Sequence, residues 1–392
     1  MLFRSTSSFT KNWLSECAKF APKLKVKAIQ EIQSIEDLEQ VNVLVSSYTS
    51  YRHKLNILGN YHWETLVLDE AHNIRNPASK QSQLVRSLQA RCKVALTATP
   101  IEKKLSDLWT IFDFINPAYL RSLKEFTYEF AIPVEKYREK SKMKTLEHVL
   151  APFMLRREKS TGALAEDFVK KNVETHLLSL KPEQKEIYKS RYKEFLENLK
   201  SASPVERVRL IQQSFRDLTL FLNDSENSAK AEKLLDTLNP ILNAGEKVVI
   251  FTQFKERAED LKVFLDKALG HEALLYHGAI SAKKRADALS EFADSSEKQI
   301  LIITIKAGGT GLNLVQANHL VHYDFTWNKA QENQASDRIY RIGQTKDVFI
   351  HRLISRGTFE QKFDRILENK SENEIKSIDL NKFSDKELGD FR

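Results

Sequence analysis

The chain has little of what breaks or staples a fold: in 392 residues there are only 2 cysteines, 9 prolines and 11 glycines. Cys17 and Cys92 lie far apart, which excludes a disulfide framework and reads as two free thiols of a reducing compartment. No Cys/His cluster is visible in the sequence, and His319 and His322, three apart on a strand, face opposite sides, so structural zinc is not expected. Long apolar runs are missing too. Stretches such as Ile300 to Ile303 are of strand length, and Met1 to Trp13 carries Arg4, Lys11 and several hydroxyls, so neither a membrane span nor a secretory signal is expected. There is no low-complexity tract, and 41% hydrophobic with 29% charged residues is a globular composition. The absence with most consequence is chemical: no G-x-x-x-x-G-K-[ST] phosphate loop occurs anywhere.

What is present begins with charge and length. A net charge of +8 favours polyanionic partners, and 392 residues accommodate two or three domains at roughly 150 residues each. Short β-branched runs followed by longer amphipathic stretches recur, the pattern of strand, crossover helix and parallel strand, so the fold class is α/β. The first set of strands is expected at Lys25 to Ile29, Val43 to Ser46, Thr65 to Leu68 and Val94 to Thr97. The last three are apolar enough to be covered on both faces, whereas the first alternates and belongs nearer an edge. Lys- and Glu-rich helical patterns fill 118–227. A second set of strands follows at Val248 to Phe251, Ile300 to Ile305, His319 to Tyr323 and Phe349 to Ile354. A last helix ends near Asn369, and a charged, frayed tail follows.

Four segments carry chemistry. Leu66-Val67-Leu68 runs into Asp69-Glu70-Ala71-His72, which puts two carboxylates at the carboxyl end of a parallel strand, where such sheets bind ligands. Asp69 suits a magnesium ion held through water and Glu70 a water-orienting base; a solvated turn is the plain alternative. Leu96-Thr97-Ala98-Thr99-Pro100 ends another strand in hydroxyls that can relay hydrogen bonds, or caps a helix with Thr99 at the N-cap. Lys306-Ala307-Gly308-Gly309-Thr310-Gly311-Leu312-Asn313-Leu314 concentrates glycine where backbone must approach something closely, a ligand or merely its own turn. Its lysine precedes the glycines, and Leu314 stands where G-x-G-x-x-G requires glycine, so it is neither standard loop. Arg338 and Arg341 would share one face of a helix and could clamp a γ-phosphate; ordinary surface ion pairs with Asp337 and Glu332 are the alternative. Trp109, Phe112 and Phe114 read as core. Lys136 to Lys144 is either a solvated face or a DNA groove.

In this order, these segments resemble the SWI/SNF-type family of DNA translocases in helicase superfamily two. The resemblance runs from about Ser7 to Phe363 and includes Asn12-Trp13, Ser47-Tyr48, Leu105-Ser106-Asp107-Leu108-Trp109, Pro152 to Arg157, Val249 to Phe254, His277-Gly278, His322-Tyr323-Asp324 and Gln334 to Gln344. It implies two RecA-like lobes of parallel sheets flanked by helices, with ATP and Mg2+ between them and duplex DNA gripped by both. The expected domains are an incomplete first lobe over 1–117, a helical insertion over 118–227, a second lobe over 228–370 and a charged tail over 371–392. By the same resemblance Asp69 and Glu70 are the magnesium and water-activating residues, and Arg338 and Arg341 are arginine fingers. His72, Gly309, Gly311 and Gln344 contact the nucleotide, while Thr97, Thr99, Thr252, His277, Lys306, Thr310, Asn313 and Trp327 couple to nucleic acid. Arg156 and Arg157 match the family's hinge pair.

The chain departs from the pattern at Lys329, in place of a proline, and at Phe168-Val169-Lys170-Lys171. It also departs in the phosphate loop, which in this family precedes the segment beginning here near Ser5. The expectation is therefore a carboxyl-terminal portion whose isolated hydrolysis is in doubt; a non-catalytic DNA-binding or interaction module is the alternative. Implied partners are duplex DNA, a protein target on it and the missing amino-terminal part as a separate chain, with no membrane. The implied location is intracellular, in the cytoplasm or nucleoid of a bacterium or the nucleus of a eukaryote.

Overall fold

The computed structural model describes residues 2–5, 9–59, 61–101, 104–157, 168–308, 312–369, 378 and 383–389, and divides into two compact units, Met1–Arg157 and Glu158–Arg392. Among the described residues no helix is long and apolar enough to cross a membrane.

The first unit is built on a parallel sheet of β1 (Leu2–Ser5), β2 (Val26–Ala28), β3 (Val43–Ser47), β4 (Trp63–Leu68) and β5 (Ala90–Ala95), in the order β2-β3-β1-β4-β5. β3 is buried throughout, and β4 is buried at Leu66, Val67 and Leu68, as apolar strands covered on both faces should be. β2 lies at one edge, where its alternating sequence belongs. The strand expected at Val94 to Thr97 instead spans Ala90–Ala95 and is not covered on both faces. Arg91, Cys92 and Val94 are exposed because β5 is the other edge strand among the described residues. β1, at four residues, is too short to show a period, yet it pairs Phe3 with both Val45 and Val67.

Helix Leu105–Ile115 buries Trp109, Phe112 and Phe114. Phe114 joins the sheet core, while Trp109 and Phe112 pack with Phe126, Phe130, Leu146 and Leu150, so the helices through Leu150 share a core within this unit.

The second unit contains β6 (Lys171–Ser179), β7 (Val248–Thr252), β8 (Leu274–Tyr276), β9 (Ile300–Thr304), β10 (His319–His322) and β11 (Val348–Arg356). They are parallel, in the order β6-β11-β10-β7-β9-β8. β7 and β9 are buried at every residue. Helices Pro182–Ser201 and Pro204–Leu222 pack Tyr188, Tyr192, Phe195 and Phe215 against Phe359 and Phe363 of helix Phe359–Glu368. The expected fraying of the tail does not extend to its described part. Leu388 is fully buried, its carbonyl accepts the Tyr192 hydroxyl at 2.8 Å, and Phe383 packs on Phe363, so apolar residues spaced through a charged segment are enough to dock it.

A buried polar network joins these elements. Lys230, 1% exposed, donates to Glu360 at 2.8 Å and to Asn223 at 2.7 Å. Asn223 donates to Asp324 at 3.0 Å, and Asp324 accepts from the Thr252 hydroxyl at 2.8 Å. Removing one partner of such a buried pair strands the other charge. Lys230→Met is expected to lower the unfolding free energy of this unit by about 3–5 kcal/mol, measured by urea titration.

Glu246, in the turn before β7, accepts from Lys346 Nζ at 3.0 Å and His319 Nε2 at 2.8 Å. Burial works to raise its pKa, but these bonds and one from Asn318 outweigh it and hold the carboxyl at about 2. Burial also keeps His319 below the ordinary imidazole value, although Glu246 acts to raise it. Because the folded pKa of Glu246 is depressed, its contribution is fully present above the ordinary carboxylate range and is lost as pH falls from there towards 2. The stability difference between the wild type and Glu246→Gln is expected to shrink by roughly 2–3 kcal/mol across that window, read from urea midpoints at stepped pH.

Candidate nucleotide site

In the first unit the site forms where β4 runs out. Leu68 is fully buried, so the polar residues after it are the first to meet solvent. Two backbone bonds extend the pairing past the strands: Leu96 N–H donates to the Leu68 carbonyl at 2.7 Å, and Ala71 N–H donates to the Leu96 carbonyl at 2.9 Å. They stitch the acidic turn to the segment that enters Thr97. Thr99 N–H donates to Thr97 Oγ1 at 3.2 Å. The helix that follows is capped at Lys104, so Thr99 is not its N-cap and the capping alternative falls away.

Asp69 is held at three points. Oδ2 accepts from Trp13 Nε1 at 3.1 Å, Oδ1 accepts from Glu70 N–H at 3.0 Å, and its carbonyl accepts from the Tyr48 hydroxyl at 2.9 Å. Glu70 sits in the left-handed region with φ 52°, a conformation that costs a non-glycine residue about 1–2 kcal/mol. Strain of that kind persists where surrounding structure over-determines it. The Glu70 side chain is 15% exposed, with its Oε2 3.2 Å from His72 Nδ1. The two acids thus have separate surroundings: an indole and a tyrosine hydroxyl around Asp69, an imidazole beside Glu70.

In the second unit, Thr252 closes β7, fully buried against Asp324. β9 leads into Ile305–Gly308, where a Cβ on Gly308 would lie 2.5 Å from Phe251 Cε1 and 2.9 Å from Ile303 Cγ2, so only glycine fits. Here the close approach is made by the protein's own core. Lys306 and Asn313 are exposed; Gly309, Thr310 and Gly311 lie outside the described residues.

Arg338 and Arg341 do not share a helical face. Helix Lys329–Ser336 is capped at Asp337, and both arginines lie in the turns beyond it. There the Arg338 carbonyl accepts from Leu314 N–H at 3.1 Å, and Arg341 Nη1 donates to the Leu312 carbonyl at 3.3 Å, tying the arginine turn to the end of the glycine segment. Gln344 is 8% exposed and donates to the carbonyls of Val315, Ala317 and Ile339 at 3.1, 2.9 and 3.3 Å.

His277 and Trp327 contact other side chains of the second unit. His277 is buried, with Nε2 3.5 Å from Glu259, and burial keeps its pKa below the usual value. Trp327 stacks on Phe359 at 5.5 Å between ring centroids and 4° between planes. The residues that position the acids, Trp13 and Tyr48, lie 56 and 21 positions from Asp69. Local sequence carries no signal for either contact; both belong to segments that matched the family pattern.

The first unit thus carries an acidic strand end stitched to a hydroxyl segment, and the second a glycine segment tied to an arginine turn. Residues 3–248 match the SNF2-related domain and residues 229–343 the helicase conserved C-terminal domain, and the chain belongs to the SNF2 family. It is 36% identical over 388 residues to Bacillus subtilis YwqA, provisionally named an ATP-dependent helicase/translocase, matching 94% of this chain and 42% of that protein. An uncharacterized ATP-dependent helicase of Mycoplasma pneumoniae is 32% identical, over 96% of this chain and 37% of its own length. The chain therefore spans about two fifths of these curated relatives. Among solved structures, the Sulfolobus solfataricus SWI2/SNF2 ATPase core in complex with dsDNA is 32% identical, covers all of this chain and 85% of its own, and superposes with a TM-score of 0.52.

The Gly308 contact yields a direct test. Gly308→Ala is expected to cost about 1–3 kcal/mol through overpacking against Phe251 and Ile303, seen as a lower urea midpoint of the second unit.

Proposed function

We propose that this chain works as part of an ATP-dependent duplex-DNA translocase. Asp69 holds Mg2+ through water, since magnesium retains most of its waters and takes few carboxylates. Glu70 orients and deprotonates the attacking water, and Arg338 and Arg341 stabilise charge on the transferred phosphoryl group. His72 assists at the nucleotide. Thr97 and Thr99 couple hydrolysis to the bound strand, and Lys306, Thr310 and Asn313 contact it. For Thr252 and Gln344 the proposed part is positioning, through the buried bonds to Asp324 and to the loop carbonyls.

The observation that carries this reading is the anchoring of Asp69 by Trp13, Tyr48 and the Glu70 amide beside a Glu70 held in a left-handed backbone. An incidental solvated turn has no use for either.

The chain of 392 residues has no Gly-Lys-Ser/Thr loop to seat the β- and γ-phosphates, so purified alone it is expected to show negligible duplex-stimulated ATP hydrolysis. Supplying that loop, as the amino-terminal segment of an SNF2-type ATPase core, is expected to restore turnover, and Glu70→Gln to lower it by about 10²-fold or more. Turnover that ignores Glu70→Gln would refute the assignment. With a net charge of +8, duplex binding by the chain is expected to weaken at least tenfold between about 50 and about 200 mM salt. Binding without hydrolysis in either arm supports the second reading, a DNA-binding module derived from such an ATPase.

A further inference from the structure

Three donor side chains converge on one face of the second sheet, and none of them is among the residues assigned above. Glu174 and His176 are two apart on β6 and so project from the same face. His351 on β11 lies opposite Glu174 in the register of the two parallel strands. His176 Nε2 and His351 Nδ1 are 3.4 Å apart, and Glu174 Oε2 is 3.6 Å from each nitrogen. These distances are at or beyond the limit of a useful hydrogen bond. They are close to the edge of a coordination tetrahedron: metal–ligand bonds of about 2.0–2.1 Å at the tetrahedral angle separate ligand atoms by about 3.3–3.4 Å.

We propose that Glu174, His176 and His351 form a binding site for a divalent transition metal of the zinc type, which clamps edge strand β6 to β11. Two imidazoles and one carboxylate are a donor set for zinc and its neighbours, not for magnesium or calcium. The histidines are largely buried while Glu174 is 66% exposed, so the fourth position opens to water. The His319 ring lies parallel to that of His351, 5.8 Å away at an interplanar angle of 5°. The buried His351 Nε2 has no hydrogen-bond partner among the described residues; with the ring proton there, Nδ1 presents its lone pair to the site. Lys233, on the flanking helix Ala229–Asn243, is a like charge that opposes a bound cation.

The test is titration of the untagged full chain with Co2+ and Zn2+. One Co2+ per chain is expected, with the visible absorption of a low-coordinate nitrogen and oxygen site, displaced by Zn2+. Zn2+ is expected to raise the thermal midpoint by several degrees over chelator-treated protein. Glu174→Gln, at an exposed position that leaves folding unaffected, and His176→Gln are each expected to weaken binding at least tenfold, whereas His62→Gln at an exposed site leaves it unchanged. Absence of saturable Co2+ binding by the wild type, or equal binding by Glu174→Gln and His176→Gln, overturns the proposal.

Discussion

A parallel strand covered on both faces has no place for a charge except at its ends. That constraint organises both units. Leu66 to Leu68 in β4, and all of β7 and β9, are buried without a polar side chain until the final threonines Thr252 and Thr304. Polar chemistry is displaced to the carboxyl ends, where the chain leaves the sheet and backbone amides become available. Asp69 and Glu70 follow β4, Asp324 follows β10, and the glycine segment follows β9. The bonds from Leu96 to Leu68 and from Ala71 to Leu96 carry the pairing one step past the strands, which fixes where the first acids stand.

Residues at those ends divide into two kinds. Thr252, Asp324 and Gln344 are buried, with their hydrogen bonds directed at the protein's own side chains and carbonyls. Burial pushes the Asp324 carboxyl up, while the Gln253 amide, Lys230 and Thr252 pull the other way. Glu70, His72, Lys306 and Asn313 retain exposed surface and can meet a ligand. A motif that looks uniform as a string of letters is therefore part scaffold and part reactive surface. The scaffold half joins two elements through one carboxylate: Asp324 accepts from Asn223 at the end of helix Pro204–Leu222 and from Thr252 and Gln253 at the end of β7.

The α/β class, the strands at β3, β4, β7, β9, β10 and β11, and the acid pair were legible because apolar runs ending in polar residues are a local pattern. β1, β6 and β8 were not. β1 and β8 have four and three residues, below the length at which a period can be read, and β6 mixes charge with apolar residues because half of it faces solvent. The helical placement of Arg338 and Arg341 failed because spacing alone does not reveal where a helix stops; Ser336 and Asp337 end it. The grouping of His176 with His351 was invisible for a different reason. Adjacent strands bring together residues 175 positions apart, and no window of sequence spans them.

Losing the helix changes what the arginine pair can do. On a helix, two guanidiniums three residues apart would share a face but move independently of the glycine segment. In the turn, the Arg338 carbonyl is bonded to Leu314 and the Arg341 side chain to Leu312, so the arginines and the end of the glycine segment form one mechanical piece. Gln344 extends that piece by holding the carbonyls of Val315, Ala317 and Ile339 together. A displacement at Leu312 or Leu314 therefore has a short hydrogen-bonded route to both arginines. The packing that permits it is the absence of a side chain at Gly308, which lets the segment sit directly on Phe251 and Ile303 at the ends of the buried strands.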